Sequence, residues 1–203
     1  MIIGLDFDNT IVCYDEAIKR LAKDVSSLPE TTPKTKLGIR GFLREQDRET
    51  EWTEFQGKLY GPGMVHAKPF PAALEMIGAI QQAGHKTVII SHRSKHPYLG
   101  PKHDLHISAR QWIKKHLVFK GNALIPERDI HLNETKDEKV ALIDFLQCDL
   151  FIDDLVDILT HASFPPSTEK LWFSPLGLTH KSDLPPNIRM IKHWNELTWL
   201  SNT

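Results

Sequence analysis

The feature that most constrains this chain is a short apolar run, Ile2 to Leu5, that passes directly into Asp6-Phe7-Asp8-Asn9-Thr10. It is too short for a stable helix and reads as a buried strand delivering carboxylates at its C-terminal end. The pattern recurs downstream. Lys86 to Ile90 ends in Ser91, Arg128 to Leu132 is a weaker version, and Asp149 to Ile152 ends in Asp153-Asp154. Lys170 to Phe173 and Ile188 to Ile191 would bring the sheet to about five or six strands, a usual size. Helical patterns lie between these runs. Pro71 to Ala83 starts with proline, spaces Leu74, Ile77 and Ile80 along one face, and stops at Gly84. Asp104 to Leu117 does the same with Leu105, Ala109, Trp112 and Ile113, and Thr135-x-x-Glu138 is a capping box opening a helix with Val140, Leu142, Ile143 and Leu146. Strand alternating with helix requires right-handed crossovers, so the expected fold is α/β, a doubly wound, Rossmann-like parallel sheet.

Residues 14–68 break the rhythm. This stretch is helical in composition, interrupted at Leu28-Pro29 and Pro33, closed by Tyr60-Gly61-Pro62-Gly63, and nearly balanced in charge. It reads as a small helical insertion after the first strand, leaving 1–13 and 69–203 as the core. A total of 203 residues suits one such core with one small appendage.

Twenty-five Lys+Arg against 26 Asp+Glu give a formal charge of -1, which removes the electrostatic basis for nucleic-acid or anionic-membrane binding. Two cysteines, Cys13 and Cys148, form neither a disulfide framework nor a thiolate zinc site. No apolar run approaches the roughly 18 residues of a membrane span, and acidic residues follow the start too closely for a signal peptide. The expectation is a soluble, cytoplasmic protein with a small-molecule partner; its oligomeric state is not legible.

In a doubly wound sheet, ligands bind beyond the carboxyl ends of the strands. The groups at those ends are Asp6, Asp8 and Thr10, then Ser91, then Asp153 and Asp154. Carboxylates converging with a hydroxyl and a lysine make a plausible Mg²⁺ and phosphate site, since hard oxygen ligands suit Mg²⁺ and phosphate oxygens complete its shell.

Asp6-Phe7-Asp8-Asn9-Thr10, Ile89-Ile90-Ser91, a helix-opening lysine and Phe151-Ile152-Asp153-Asp154, in that order, resemble motifs one to four of the haloacid dehalogenase (HAD) superfamily, most of whose members are phosphatases. The resemblance covers Met1 to about Thr160 apart from the insertion, which stands where that superfamily carries a C1-type cap. More loosely, S-H-R-S, T-K-D-E-K and F-I-D-D-L are similar to an uncharacterised subgroup of such hydrolases. The resemblance implies a Mg²⁺-dependent phosphomonoester hydrolase acting on a small metabolite through an aspartyl-phosphate. Asp6 would be the nucleophile and Asp8 the general acid and base. Ser91 and Lys139 would hold the phosphoryl oxygens. Asp6, Asp153 and Asp154 would hold Mg²⁺ with Asp8, whose backbone carbonyl serves in the superfamily. Lys136, one turn earlier, competes with Lys139; the subgroup's layout favours Lys139. A phosphomutase and a catalytically weak or inactive phosphate-binding regulator share the same fold and remain alternatives.

Other readings are weaker. Asp6-x-Asp8 as a glycosyltransferase metal motif would need a nucleotide-binding half before it, and only five residues precede it. His92-x-x-x-His96 and His103-x-x-His106 have zinc-like spacing but lie in a loop interrupted by Pro97 and Gly100-Pro101. Thr10, His92 and Arg93 are candidates to touch substrate. Within the insertion, Lys36, Arg40 and Arg44 recur every fourth residue, as do Trp52, Gln56 and Tyr60, and either stripe would suit substrate selection or ordinary packing.

Overall fold

The computed structural model describes residues 1–177 and 185–201. Its contacts divide the chain into two compact units, Met1–Val12, Pro69–Arg93 and Leu117–Thr203 in the first, Cys13–Lys68 and Ser94–His116 in the second.

The first unit is built on six parallel strands: β1 (Ile2–Leu5), β2 (Lys86–His92), β3 (Ile130–Asn133), β4 (Leu150–Asp153), β5 (Glu169–Phe173) and β6 (Ile188–Ile191). They lie in the order β3-β2-β1-β4-β5-β6. The chain starts at the centre of the sheet, winds outward to β3, then crosses back to the other side of β1. The reversal leaves a crevice between β1 and β4, the switch point where such folds bind ligands. The interior follows from the apolar runs: Ile3, Leu5, Ile89, Ile90, Phe151 and Ile152 are fully buried. Gly4 is demanded by packing, because a Cβ there would overlap the Phe151 ring on neighbouring β4.

The helices are α1 (Asp15–Leu21), α2 (Lys36–Glu45), α3 (Glu49–Tyr60), α4 (Ala73–Gln82), α5 (Leu105–His116), α6 (Lys136–Phe145) and the single turn α7 (Val156–Leu159). Gly84 ends the α4 segment with φ +87°, the left-handed conformation that glycine adopts without strain. The capping box forms: Thr135 Oγ1 accepts from Glu138 N–H at 3.1 Å, and Glu138 Oε2 accepts from Thr135 N–H at 3.1 Å. It fixes the start of α6, and with it the direction of the lysines in its first turns.

Several boundaries differ from the sequence expectation: α4 begins at Ala73 and not at Pro71, and β4 runs through Asp153 instead of ending before it. β2 runs to His92, so Ser91 lies inside the strand, paired with Leu132 of β3, and does not follow its end. β3 begins at Ile130, because Glu127–Asp129 after Pro126 form a tight 3₁₀ turn.

The second unit comprises α1, α2, α3, a 3₁₀ segment at Pro62–His66, and α5. Residues 94–116, assigned from sequence to the core, cluster by contact with the insertion. The cause is α5's apolar face: Trp112 is buried and donates its Nε1–H to Ala67 O at 2.9 Å. Pro97 and His103, in the segment before α5, sit against Gly57 and Gly61, where a Cβ would lie within 2.8 and 3.1 Å of those side chains.

Candidate functional site

At the C-terminal end of β1, Asp6 N–H donates to Ile152 O of β4 at 2.9 Å, which places its carboxylate at the switch point. Asn9, at φ +59°, then turns the chain left-handed, and the N–H groups of Ile11 and Val12 both donate to Phe7 O. That turn gives Asp8 surroundings of its own.

Asp6 is buried and held on both oxygens. Its Oδ1 accepts from Lys139 Nζ at 2.6 Å and from Ser91 Oγ at 3.1 Å, and its Oδ2 accepts from Thr10 Oγ1 at 3.3 Å. Lys139 Nζ also donates to Asp153 Oδ2 at 2.6 Å, and the other oxygen of Asp153 accepts from Leu155 N–H at 2.8 Å. Lys139 is 1% exposed and lies over the Phe151 ring, so its ammonium has no access to solvent. Lys136 instead sits half-exposed 3.6 Å from Asp157. The spatial choice between the two lysines therefore falls on Lys139.

Burial pushes the Asp6 carboxyl up to about 7, with Asp153 and Asp8 adding to the rise and Lys139 opposing it. Burial also disfavours the Lys139 ammonium, but the carboxylates of Asp153 and Asp6 outweigh it and hold the lysine above its ordinary value. His92, half-buried at the end of β2, is pushed down by burial and by the Lys139 charge.

Carboxylate oxygens of Asp6, Asp153 and Asp154 lie within 4.8 Å of one another, the one such cluster among the described residues. Three carboxylates against one ammonium, when all are ionised, leave an excess of two negative charges in a mostly buried place. The all-oxygen donors and that imbalance fit a hard divalent cation such as Mg²⁺. Two tryptophans brace the site from behind: Trp172 Nε1–H donates to Asp154 O at 2.9 Å, and Trp194 Nε1–H to Thr10 O at 3.0 Å. No signal in the sequence marks these two for the task, because the contacts come from β5 and the C-terminal turn.

The remaining candidates divide. Thr10 is fully buried beside Asp6, where it orients the carboxylate and offers no face to a ligand. Arg93 is buried against Asp8. In the second unit, Lys36 lies over the Tyr60 ring at 5.7 Å, and Tyr60 packs edge-on to Tyr14. Arg44 is engaged by both oxygens of Glu49, at 2.6 and 2.9 Å. Arg40 is half-buried with its Nε unpartnered, and Gln56 is half-buried. Trp52 is 3% exposed and stacks on Phe55, so burial gives it to packing.

Comparison with solved structures identifies the fold. A HAD family hydrolase from Deinococcus radiodurans R1, with bound phosphate and sodium, aligns over 97% of this chain and 92% of its own, with a TM-score of 0.57 at 16% identity. A haloacid dehalogenase-like hydrolase from Streptococcus pneumoniae aligns over 98% and 97%, with a TM-score of 0.59 at 14% identity. A protein assigned as a HAD-hydrolase from Bacillus subtilis, bound to magnesium, aligns over 100% and 98%, with a TM-score of 0.58 at 14% identity. The chain has the fold of the haloacid dehalogenase-like hydrolases. No family model matches its sequence, and no curated protein does.

Proposed function

We propose that this protein is a Mg²⁺-dependent phosphomonoester hydrolase acting on a small phosphorylated metabolite through an aspartyl-phosphate. The observation that carries the proposal is the buried convergence of Asp6, Ser91, Lys139 and Asp153 at the switch point, with Asp154 beside them. The phosphate bound by one structural neighbour and the magnesium bound by another support it.

In this proposal Asp6 attacks phosphorus, because a carboxylate held by Ser91, Thr10 and Lys139 is already oriented and needs no reorganisation. Ser91 and Lys139 turn to the non-bridging oxygens as the phosphoryl group arrives, and the ammonium offsets the charge gathering there. Asp8 protonates the departing oxygen and later takes a proton from the attacking water. Asp6, Asp153, Asp154 and the Asp8 carbonyl would hold Mg²⁺, which when bound supplies the positive charge that lets a phosphate dianion approach several carboxylates.

The second unit is proposed as the cap that selects substrate, with Lys36, Arg40, Gln56 and Tyr60 as its recognition groups. Arg44 and Trp52 are left out, since one is neutralised by Glu49 and the other is packed inside. The proposed compartment is the cytoplasm, on the chemistry of two free cysteines. No helix among the described residues is long and apolar enough to cross a membrane.

The test is purified protein with Mg²⁺ and a broad panel of phosphate esters. Phosphate release that stops with chelator and returns with Mg²⁺ is the expected result. A folded protein that releases none across the panel sinks the proposal.

A further inference from the structure

The two carboxylates of Asp6-x-Asp8 are only two residues apart, yet they have separate partners. Asp6 is held by Ser91, Thr10 and Lys139. Asp8 is held by Arg93, whose Nη1 donates to both of its oxygens, at 2.6 and 2.7 Å. The Arg93 side chain is 3% exposed. Its backbone is pinned as well: Arg93 N–H donates to Asn133 O at 2.7 Å, continuing the pairing of β2 with β3 one residue past His92. Its guanidinium carbon lies 6.0 Å from the centre of the Phe7 ring, and Phe7 is fully buried and adjacent to Asp8 in sequence.

We propose that Arg93 is a positioning residue for Asp8, fixing the carboxyl that exchanges a proton with the leaving group, and that it does not hold the transferred phosphoryl group. The inference rests on the phosphohydrolase proposal and deepens it, because it moves Arg93 from the substrate to the proton donor. A charge-assisted pair with a buried guanidinium is strong even though the Asp8 side chain is 17% exposed, and one nitrogen bridging both oxygens restricts rotation of the carboxyl. The anchored backbone and the Phe7 ring keep that nitrogen in place. In the first half-reaction a bond forms between an Asp6 oxygen and phosphorus, the bond from phosphorus to the alcohol oxygen breaks, and that oxygen takes the proton carried by Asp8. In the second, water attacks phosphorus, gives a proton to Asp8, and Asp6 departs as carboxylate. The need for the first proton grows with the basicity of the departing oxygen. Dependence on Arg93 should follow the same gradient.

The experiment compares wild type, Arg93→Ala, Arg93→Lys, Asp8→Asn and the double variant Arg93→Met/Asp8→Asn. The substrates are phenyl, 4-nitrophenyl and 2,4-dinitrophenyl phosphate with Mg²⁺, and calorimetry measures inorganic phosphate binding. Loss of a positioned general acid costs about a hundredfold or more, so Arg93→Ala should lose that much kcat/KM on phenyl phosphate, and at least about tenfold less on the dinitrophenyl ester. Arg93→Lys should recover about tenfold of the phenyl phosphate loss, because it restores charge without the planar guanidinium. The double variant should fall within about threefold of Asp8→Asn, as expected for two residues acting as one unit. Phosphate affinity of Arg93→Lys should stay within about threefold of wild type, since only interactions with phosphate itself enter that measurement. If Arg93→Ala fails to fold because Asp8 is left with an uncompensated charge, Arg93→Lys and the double variant carry the same comparisons. Equal losses on all three esters, tenfold weaker phosphate binding, or additive losses in the double variant would overturn the inference alone. A wild type that turns over none of the esters overturns the phosphohydrolase proposal, and this inference with it.

Discussion

The first unit keeps its working charges in the interior, and the second keeps most of its own on the surface. Around Asp6, one buried ammonium answers a cluster of carboxylates, the hydrogen bonds come from β2, α6 and the turn after β1, and the partners are up to 133 residues apart in sequence. Along α2 and α3, Arg44 pairs with Glu49 five residues away, both open to water, and a half-buried Arg48 pairs with exposed Glu51 three residues away. The physical difference is solvent. Screening makes an exposed pair nearly worthless for stability, whereas a buried charge that loses its partner must be neutralised or reorganised. Oriented charge therefore concentrates in the first unit, and the exposed pairs of α2 and α3 should tolerate substitution more easily.

The sharpest test of that contrast is Asp6→Asn. The amide keeps the shape but cannot form the acyl phosphate, so turnover should fall by about a thousandfold or more, as for other essential nucleophiles. The melting temperature should not fall by a comparable margin. Initial rates and thermal melts read both quantities, and near-normal rates would remove Asp6 from the nucleophilic role.

Lys139→Met comes next. It leaves Asp6 and Asp153 facing each other without the ammonium between them, and removing one partner of a buried ion pair costs about 3–5 kcal/mol. Denaturant unfolding should show that loss without metal. Added Mg²⁺ should recover more stability in the variant than in wild type, because a cation binding only the folded state stabilises it by mass action. Equal Mg²⁺ effects on both proteins would break the link between the lysine and the proposed cation site.

A smaller effect belongs to the second unit. Asp104 stands just before α5, and its Oδ1 accepts from Ile107 N–H at 2.8 Å. Asp104→Ala should cost about 1 kcal/mol, the usual worth of such a cap. The Ile107 amide holds the carboxyl below its ordinary range, so the stabilisation is present above the unfolded value of about 3.9 and fades as pH falls through the lower folded value. Unfolding midpoints for the two proteins should converge in acid. A difference that persists unchanged at low pH would assign the effect to something other than the charged cap.

The smallest expected effect is Arg44→Ala. Its pair with Glu49 is open to solvent on both sides, and such pairs often contribute nothing measurable. Neither the melting temperature nor hydrolysis of 4-nitrophenyl phosphate should change detectably. A clear loss in either would show that the surface of α2 does work the ion-pair geometry does not explain.

The sequence by itself determined the local events. Ile2 to Leu5 could only be a short buried strand, Thr135 and Glu138 could cap one helix, and Gly84 could end another without strain; each depends on residues within a few positions. Alternation of such pieces was enough for a doubly wound parallel sheet, because crossover handedness leaves few arrangements. What sequence could not decide were matters of direction and long-range partnership. Lys136 and Lys139 share one face of α6, and only the docking of that helix on the sheet sends Lys139 inward to Asp6 while Lys136 meets Asp157 near the surface. Arg93, two residues after Ser91, reads from sequence as a candidate to touch substrate; the turn at Asn9 brings Asp8 to it. The apolar face of α5 fits a core helix by spacing alone, yet Trp112 finds its acceptor at Ala67, inside the second unit and not on the sheet. Periodicity says which face of an element is buried, and only tertiary packing says against what.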